Sequence, residues 1–279
     1  MVIVLVAGTV AGVGLAGRGA AGGRDTVSPG EGSQAGRGDG GNPFRSVREY
    51  LRTRRGLVTA VTEDLRTGRT WTLGDGRPQP EASSVKLDIL EALLARAPNG
   101  LPAAQRALAG KMITVSDNNA ATALWNAAGG AAGIGRYNRA AGLTGTRLSA
   151  CVRCPGFRYP GWGLSVTTPA DQVTLLRQLV APGTLLSAAA RGDALSLLEK
   201  VTPTQRWGVS SGVPAGVTVA LKNGWLPLRA GGWQVNSGGW VSGDGRDYLL
   251  VVLSTRDPSE RYGIATVSQV GALVWSALR

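Results

Sequence analysis

Strand patterns stand at both ends of this chain, and helical patterns fill the middle. The stretch "LVTAVTEDLRTGRTWTL" alternates β-branched residues on both sides of an Arg-Thr-Gly turn and predicts a hairpin. Strand signals then return only at 217–221 ("VTVAL"), 231–243 ("GGWQVNSGGWVSG") and 247–255 ("DYLLVVLST"). From Ser83 to about Val180 the signals are helical, and the clearest start is "TTPADQVTLLRQL", with Thr168 as N-cap, Pro169 at N1 and Asp171 at N3. Two strand groups left apart would each present open edges, so they are expected to pair into one antiparallel sheet. Helices predicted over "NPFRSVREYLRTRR", with Phe44, Val47 and Leu51 on one side, and over roughly 262–278 would cover that sheet. The expected fold class is α+β: an α/β sandwich of antiparallel sheet with N- and C-terminal helices, plus an all-helical lobe. No internal repeat is visible.

The chain has 279 residues, of which 43% are hydrophobic and 17% charged, enough to bury a large core. Its formal charge is +12. The basic residues are nonetheless diffuse, almost all arginine, and not interleaved with stacking aromatics, so no nucleic-acid partner is expected. There is no histidine, which excludes a Ser-His-Asp triad, a Cys-His dyad and His-based zinc ligation. No cofactor or metal is expected. Any nucleophile must find another base, and the only lysines are Lys86, Lys111, Lys200 and Lys222.

Residues 2–16 form an apolar run too short for a comfortable membrane span and suited to a signal-peptide core, although no basic residue precedes it. Residues 17–42 have the Gly/Arg/Ser composition of a disordered tether, which leaves 43–279 as the folded domain. A secreted or cell-envelope location is expected, with membrane contact only through an uncleaved N-terminal segment, and a monomeric state. No cysteine closely follows the apolar run, so lipid anchoring is not expected. Cys151 and Cys154 have the spacing of a redox pair but sit in a Gly/Pro/aromatic loop; in an exported protein a short-loop disulfide is the plainer expectation.

Three short motifs carry chemistry. The first is Ser83-Ser84-Val85-Lys86. At 100° per residue Lys86 falls inside the apolar arc of Leu87, Leu90, Leu93 and Leu94, next to Ser83, whereas Asp88 and Glu91 fall on the side that belongs to water. An inward lysine has a lowered pKa and can accept a serine proton. The second is Ser116-Asp117-Asn118, just before an apolar helix, where such residues also serve as caps. The third is Lys222-Asn223-Gly224 after an apolar strand, where Asn-Gly is also a hairpin signal that Pro227 weakens.

In this order the motifs resemble S-x-x-K, S-D-N and K-T-G of the class A β-lactamases and penicillin-binding peptidases. The resemblance covers residues 43–279 and extends to "TTPAD", which is similar to the helix start after that family's omega loop. It implies a β-lactamase/transpeptidase-like fold and an acyl-enzyme on Ser83, with Lys86 as base partner and Ser116 as proton relay. Asn118, Lys222, Asn223, Gly224 and Trp225 are then substrate-binding, the backbone N–H groups of Ser83 and Trp225 forming the oxyanion hole. The substrate would be a small-molecule or peptidoglycan-like amide or ester. Two departures stand out: Asn223 replaces the threonine of the third motif, and no Asp or Glu occurs from Arg147 to Ala170, where the β-lactamases keep the glutamate that activates the deacylating water. The alternative is a catalytically silent envelope-binding module on the same fold.

Overall fold

The computed structural model describes residues 41–278; the apolar run and all but the last two residues of the tether lie outside them. One five-stranded antiparallel sheet organises the domain, in the order β2-β1-β7-β6-β5. Its strands are β1 (Leu57–Asp64), β2 (Arg69–Leu73), β5 (Thr218–Pro227), β6 (Trp233–Gly243) and β7 (Arg246–Asp257). The pairing of β1 with β7 joins the two ends of the sequence as expected, from Leu57 opposite Thr255 to Asp64 opposite Tyr248. Residues Tyr248 to Ser254 of β7 are buried without alternation, which requires cover on both faces of the sheet. The helix α8 (Glu260–Ala277) packs on β5, β6 and β7, and α6 (Pro169–Val180) packs on β1, β6 and β7. The helix α1 (Arg45–Leu51), shorter than its sequence suggests, lies against α8 with Phe44 and Val47 fully buried.

A helical lobe surrounds α2 (Val85–Leu94) with α3 (Ala103–Thr114), α4 (Asn118–Ala127), α5 (Gly130–Ala140), α6 and α7 (Ala188–Glu199). The helix α7 lies beyond the stretch read as helical, and the short strand β4 (Val166–Thr167), paired with β3 (Gln79–Pro80) just before that stretch, interrupts it. The start of α6 is as expected: the Thr168 hydroxyl accepts from the Asp171 N–H at 3.1 Å, behind Pro169.

Asp88 and Glu91 correct the helical-wheel reading. Both are fully buried, because α2 has neighbours all round and no side left for water. Polar partners take the place of solvent: Asn138 donates to Asp88 at 2.7 Å, and the Tyr137 hydroxyl donates to Glu91 at 2.8 Å. Burial pushes the Asp88 carboxyl up to about 7, against a usual value of 3.8, and holds Glu91 well above the ordinary carboxylate range. A carboxyl raised on folding contributes stability that is full below its unfolded pKa and is lost as pH rises through its folded one. Chemical unfolding between pH 4 and 7 should therefore show the wild type losing stability relative to Asp88→Asn, by at most about 1.4 kcal/mol per pH unit.

Candidate active site

The nucleophile candidate sits at the junction of sheet and lobe. A 3₁₀ turn, Ala82–Ser84, leads into α2 and lies along β5, which is an edge strand of the sheet. Asn236 of β6 fixes this turn by donating to the Pro80 and Glu81 carbonyls at 2.8 and 2.9 Å. Ala82, immediately before Ser83, has φ 51°, and Ser116 has φ 58°. Such left-handed backbone in a residue other than glycine costs about 1–3 kcal/mol and persists only where surrounding contacts hold it.

Lys86 is fully buried one helical turn after Ser83. Its Nζ lies 3.0 Å from Ser83 Oγ, 2.8 Å from Ser116 Oγ, 2.6 Å from the Ser116 carbonyl and 2.9 Å from Asn118 Oδ1. The carbonyl and the amide oxygen can only accept, so they take two N–H bonds. A neutral amine then keeps its lone pair for a hydroxyl. Desolvation, aided by the nearby Lys222 charge, brings Lys86 down to about 6. The ring of Trp162 lies 5.2 Å from Nζ, with its indole N–H donating to Thr122 Oγ1 at 3.0 Å. That aromatic face attracts the charged amine, but the cost of burial wins.

The S-D-N segment does both of the jobs its residues allow. Asp117 caps α4 by accepting from the Ala120 N–H at 2.7 Å, and this sets Ser116 and Asn118 on Lys86. From the other side Lys222, also buried, reaches Ser116 Oγ at 3.2 Å and donates to the Asn223 carbonyl at 2.7 Å. Burial lowers Lys222 to about 7. Ser83 Oγ, Lys86 Nζ, Ser116 Oγ and Lys222 Nζ thus form an unbroken line of exchangeable protons.

Asn223-Gly224 is no hairpin turn: β5 runs straight through both residues to Pro227, paired with β6. A Cβ on Gly224 would stand 2.7 Å from the backbone nitrogens of Ser83 and Ser84, so only glycine lets the strand approach the turn this closely. Gly224→Ala should displace the Ser83 N–H; with that N–H as the oxyanion donor the resemblance implies, acylation should slow by about 100-fold or more, the usual cost of losing one such donor. Trp225 lines the cleft beside Ser83, together with Phe157, Tyr159 and Trp162. The Asn223 side chain does not join them. It is fully buried and donates to the Gln205 and Trp207 carbonyls at 2.8 and 3.0 Å, holding the loop that packs Trp207 against Trp225. Its backbone carbonyl, not its amide, faces the relay.

Cys151 and Cys154 are joined as a disulfide within the loop that carries the cleft aromatics. Sequence reasoning missed Trp162 and Asn236. The signal for Asn236 was available, since Gln234 and Asn236 are carboxamides at alternate positions of a strand, on either side of Val235. Trp162 gave none beyond being a tryptophan in a glycine-rich loop.

Comparison with known proteins places this arrangement. The model of the beta-lactamase enzyme family matches residues 98–278. The chain belongs to the beta-lactamase enzyme family. The matched stretch takes in Ser116, Asn118 and Lys222 to Trp225 but begins after Ser83 and Lys86, so the candidate nucleophile pair of this family member stands on the distances above alone. Its fold is that of an ancestral class A beta-lactamase (TM-score 0.71, 24% identity, 85% of this chain and 100% of the other). It is also that of a beta-lactamase from Chitinophaga pinensis (TM-score 0.73, 21% identity, 84% and 98%) and of PBP-A (0.71, 21%, 84% and 95%). Among curated relatives, the family member is 27% identical to "Putative lipoprotein LppW" of Mycobacterium tuberculosis and of Mycobacterium bovis. The match spans 222 residues, 76% of this chain and 67% of those proteins.

Proposed function

We propose that this protein is an exported serine hydrolase that forms an acyl-enzyme on Ser83 from an amide or ester substrate. The observation that carries the reading is the 3.0 Å approach of a buried Lys86 amine, lowered to about 6, to the Ser83 hydroxyl. Lys86 takes the Ser83 proton as Oγ bonds to the substrate carbonyl carbon. The oxyanion is received by the backbone N–H groups of Ser83 and Trp225. As the C–N or C–O bond breaks, Ser116 gives its proton to the leaving group and is reprotonated from Lys86, with Lys222 supporting the charge from the other side. Water then has to hydrolyse the ester. Residues 147–170 hold no carboxylate to activate it, and within them Trp162 covers Lys86, so acylation by β-lactams is fast relative to release.

The location rests on the N-terminal pattern: the apolar run of residues 2–16 suits an export signal, so the described domain acts outside the cytoplasm. The lipoprotein name of the mycobacterial relatives supports an envelope setting. No helix among the described residues is long and apolar enough to cross a membrane. Fluorescent penicillin or a fluorophosphonate should label the protein, and peptide mapping should place the label on Ser83. Absence of label under conditions that label a control enzyme would overturn the assignment.

A further inference from the structure

Guanidinium groups that pair with nothing collect at one corner of the domain. Among the described residues, those of Arg48, Arg52, Arg55, Arg256 and Arg261 are exposed and make no hydrogen bond, ion pair or ring contact. Elsewhere in those residues only Arg136, Arg139 and Arg153 are as free. Three segments distant in sequence build the corner. On α1, at 100° per residue, Arg48 and Arg52 lie about 40° apart and away from the buried Val47. The chain beyond α1 is then pinned to the first turn of α8. Arg55 N–H donates to the Tyr262 hydroxyl at 2.8 Å, and Arg54 donates to the Tyr262 carbonyl at 3.1 Å while stacking on that ring. This sets Arg55 beside Arg261. Because β1 meets β7 with Leu57 opposite Thr255, Arg256 comes to lie against Gly56. Arg256 has φ 60°, a backbone that favours glycine or asparagine, so local structure does not call for its side chain. Against these cations stand only the exposed Glu49 and the half-buried Glu260, since Asp257 is fully buried.

The place of the corner in the chain indicates its partner. Residues 17–42 carry Arg18, Arg24 and Arg37 against Asp25, Glu31 and Asp39, which leaves that stretch without net charge. The basic excess begins where the domain begins, one neutral stretch beyond the apolar run of residues 2–16. Basic side chains next to a membrane-directed segment meet acidic headgroups, and each one near that surface adds to the attraction. Half-buried tyrosines suit the same depth, with the ring towards the acyl boundary and the hydroxyl in water, and Tyr50 and Tyr262 flank Arg54 here. A soluble polyanion would need neither the neighbouring apolar run nor the rings. We infer that this corner docks on a membrane surface of acidic phospholipids, so that the folded domain touches the bilayer itself and not only through its N-terminal segment. The inference is independent of the acyl-transfer reading.

The test mixes the full chain with phosphatidylcholine vesicles and with vesicles that also contain phosphatidylglycerol, and measures bound protein by co-sedimentation. The apolar run can enter both kinds of vesicle, so the difference between them reports the charged contact. Phosphatidylglycerol should tighten binding, and the gain should vanish at about 1 M salt, where the Debye length is about 3 Å. Combining Arg48→Gln, Arg55→Gln and Arg261→Gln should weaken binding to the acidic vesicles by about tenfold or more. Combining Arg136→Gln, Arg139→Gln and Arg153→Gln removes the same charge elsewhere and should leave binding unchanged. All six side chains are exposed and partnerless, so both variants should melt at the wild-type Tm. Equal binding to both kinds of vesicle, or equal weakening by the two variants, would overturn the inference. Duplex DNA bound as tightly as the acidic vesicles, and lost with the first variant, would make the corner a general polyanion site and end the membrane assignment.

Discussion

On mixing with a β-lactam, the wild-type protein should gain the full mass of one drug molecule within minutes and keep it for hours, whereas Ser83→Ala gains none. The first half follows from the relay. Lys86, Ser116 and Lys222 lie in contact along one line, so proton removal and proton return need no rearrangement. Persistence follows from the omega-loop segment. A positioned general base is typically worth about 10²–10⁴ in rate, and among residues 147–170 there is no carboxylate to supply it. Introducing Glu in place of Trp162 would remove the indole cover as well as add a base, so Ser83→Ala is the cleaner control. A mass series over time separates three outcomes. A lasting adduct supports the mechanism, a transient one means that another group activates water, and no adduct means that the site is silent.

Replacing Lys86 with Met should slow acylation by about 10³-fold, within the range that general-base catalysis supplies. The pH profile tests the same residue in the wild type. Only the neutral amine accepts a proton, so the acylation rate should climb as pH rises through about 6 and level off above it. A profile that instead climbs near 10 would show a solvated ammonium and would falsify the relay as described. Stability should also rise with pH. Lys86 binds fewer protons in the native than in the unfolded state between about 6 and 10.5, so its presence costs stability increasingly as pH falls across that window. Lys86→Met should accordingly be more stable than wild type at pH 7, and the gain should shrink by up to about 1.4 kcal/mol per unit towards pH 9.

Much of this was legible in the residues because the relevant signals are local. Strand alternation, the Thr168-Pro169-Asp171 helix start and the inward-facing Lys86 each depend on neighbours within a turn or two. The burial of Asp88 and Glu91 was not, because amphipathic reasoning presumes a wet side and α2 has none; Tyr137 and Asn138 on α5 and Gln172 on α6 supply the polar partners instead. Asn223 misled for a related reason. Its motif position points to the cleft, but the direction of its side chain is set by the carbonyls of Gln205 and Trp207, sixteen to eighteen residues earlier in sequence. Trp162 and Asn236 act through contacts with segments far away in the chain, which no periodicity records.

The order of strands has a consequence for biosynthesis. The central partner of β1 is β7, about 180 residues further on, so the first hairpin waits for almost the entire polypeptide before it can dock. At a ribosomal pace of 5–20 residues per second that delay is roughly ten to forty seconds. Throughout it the nascent domain lacks the β1–β7 pairing that closes its sheet.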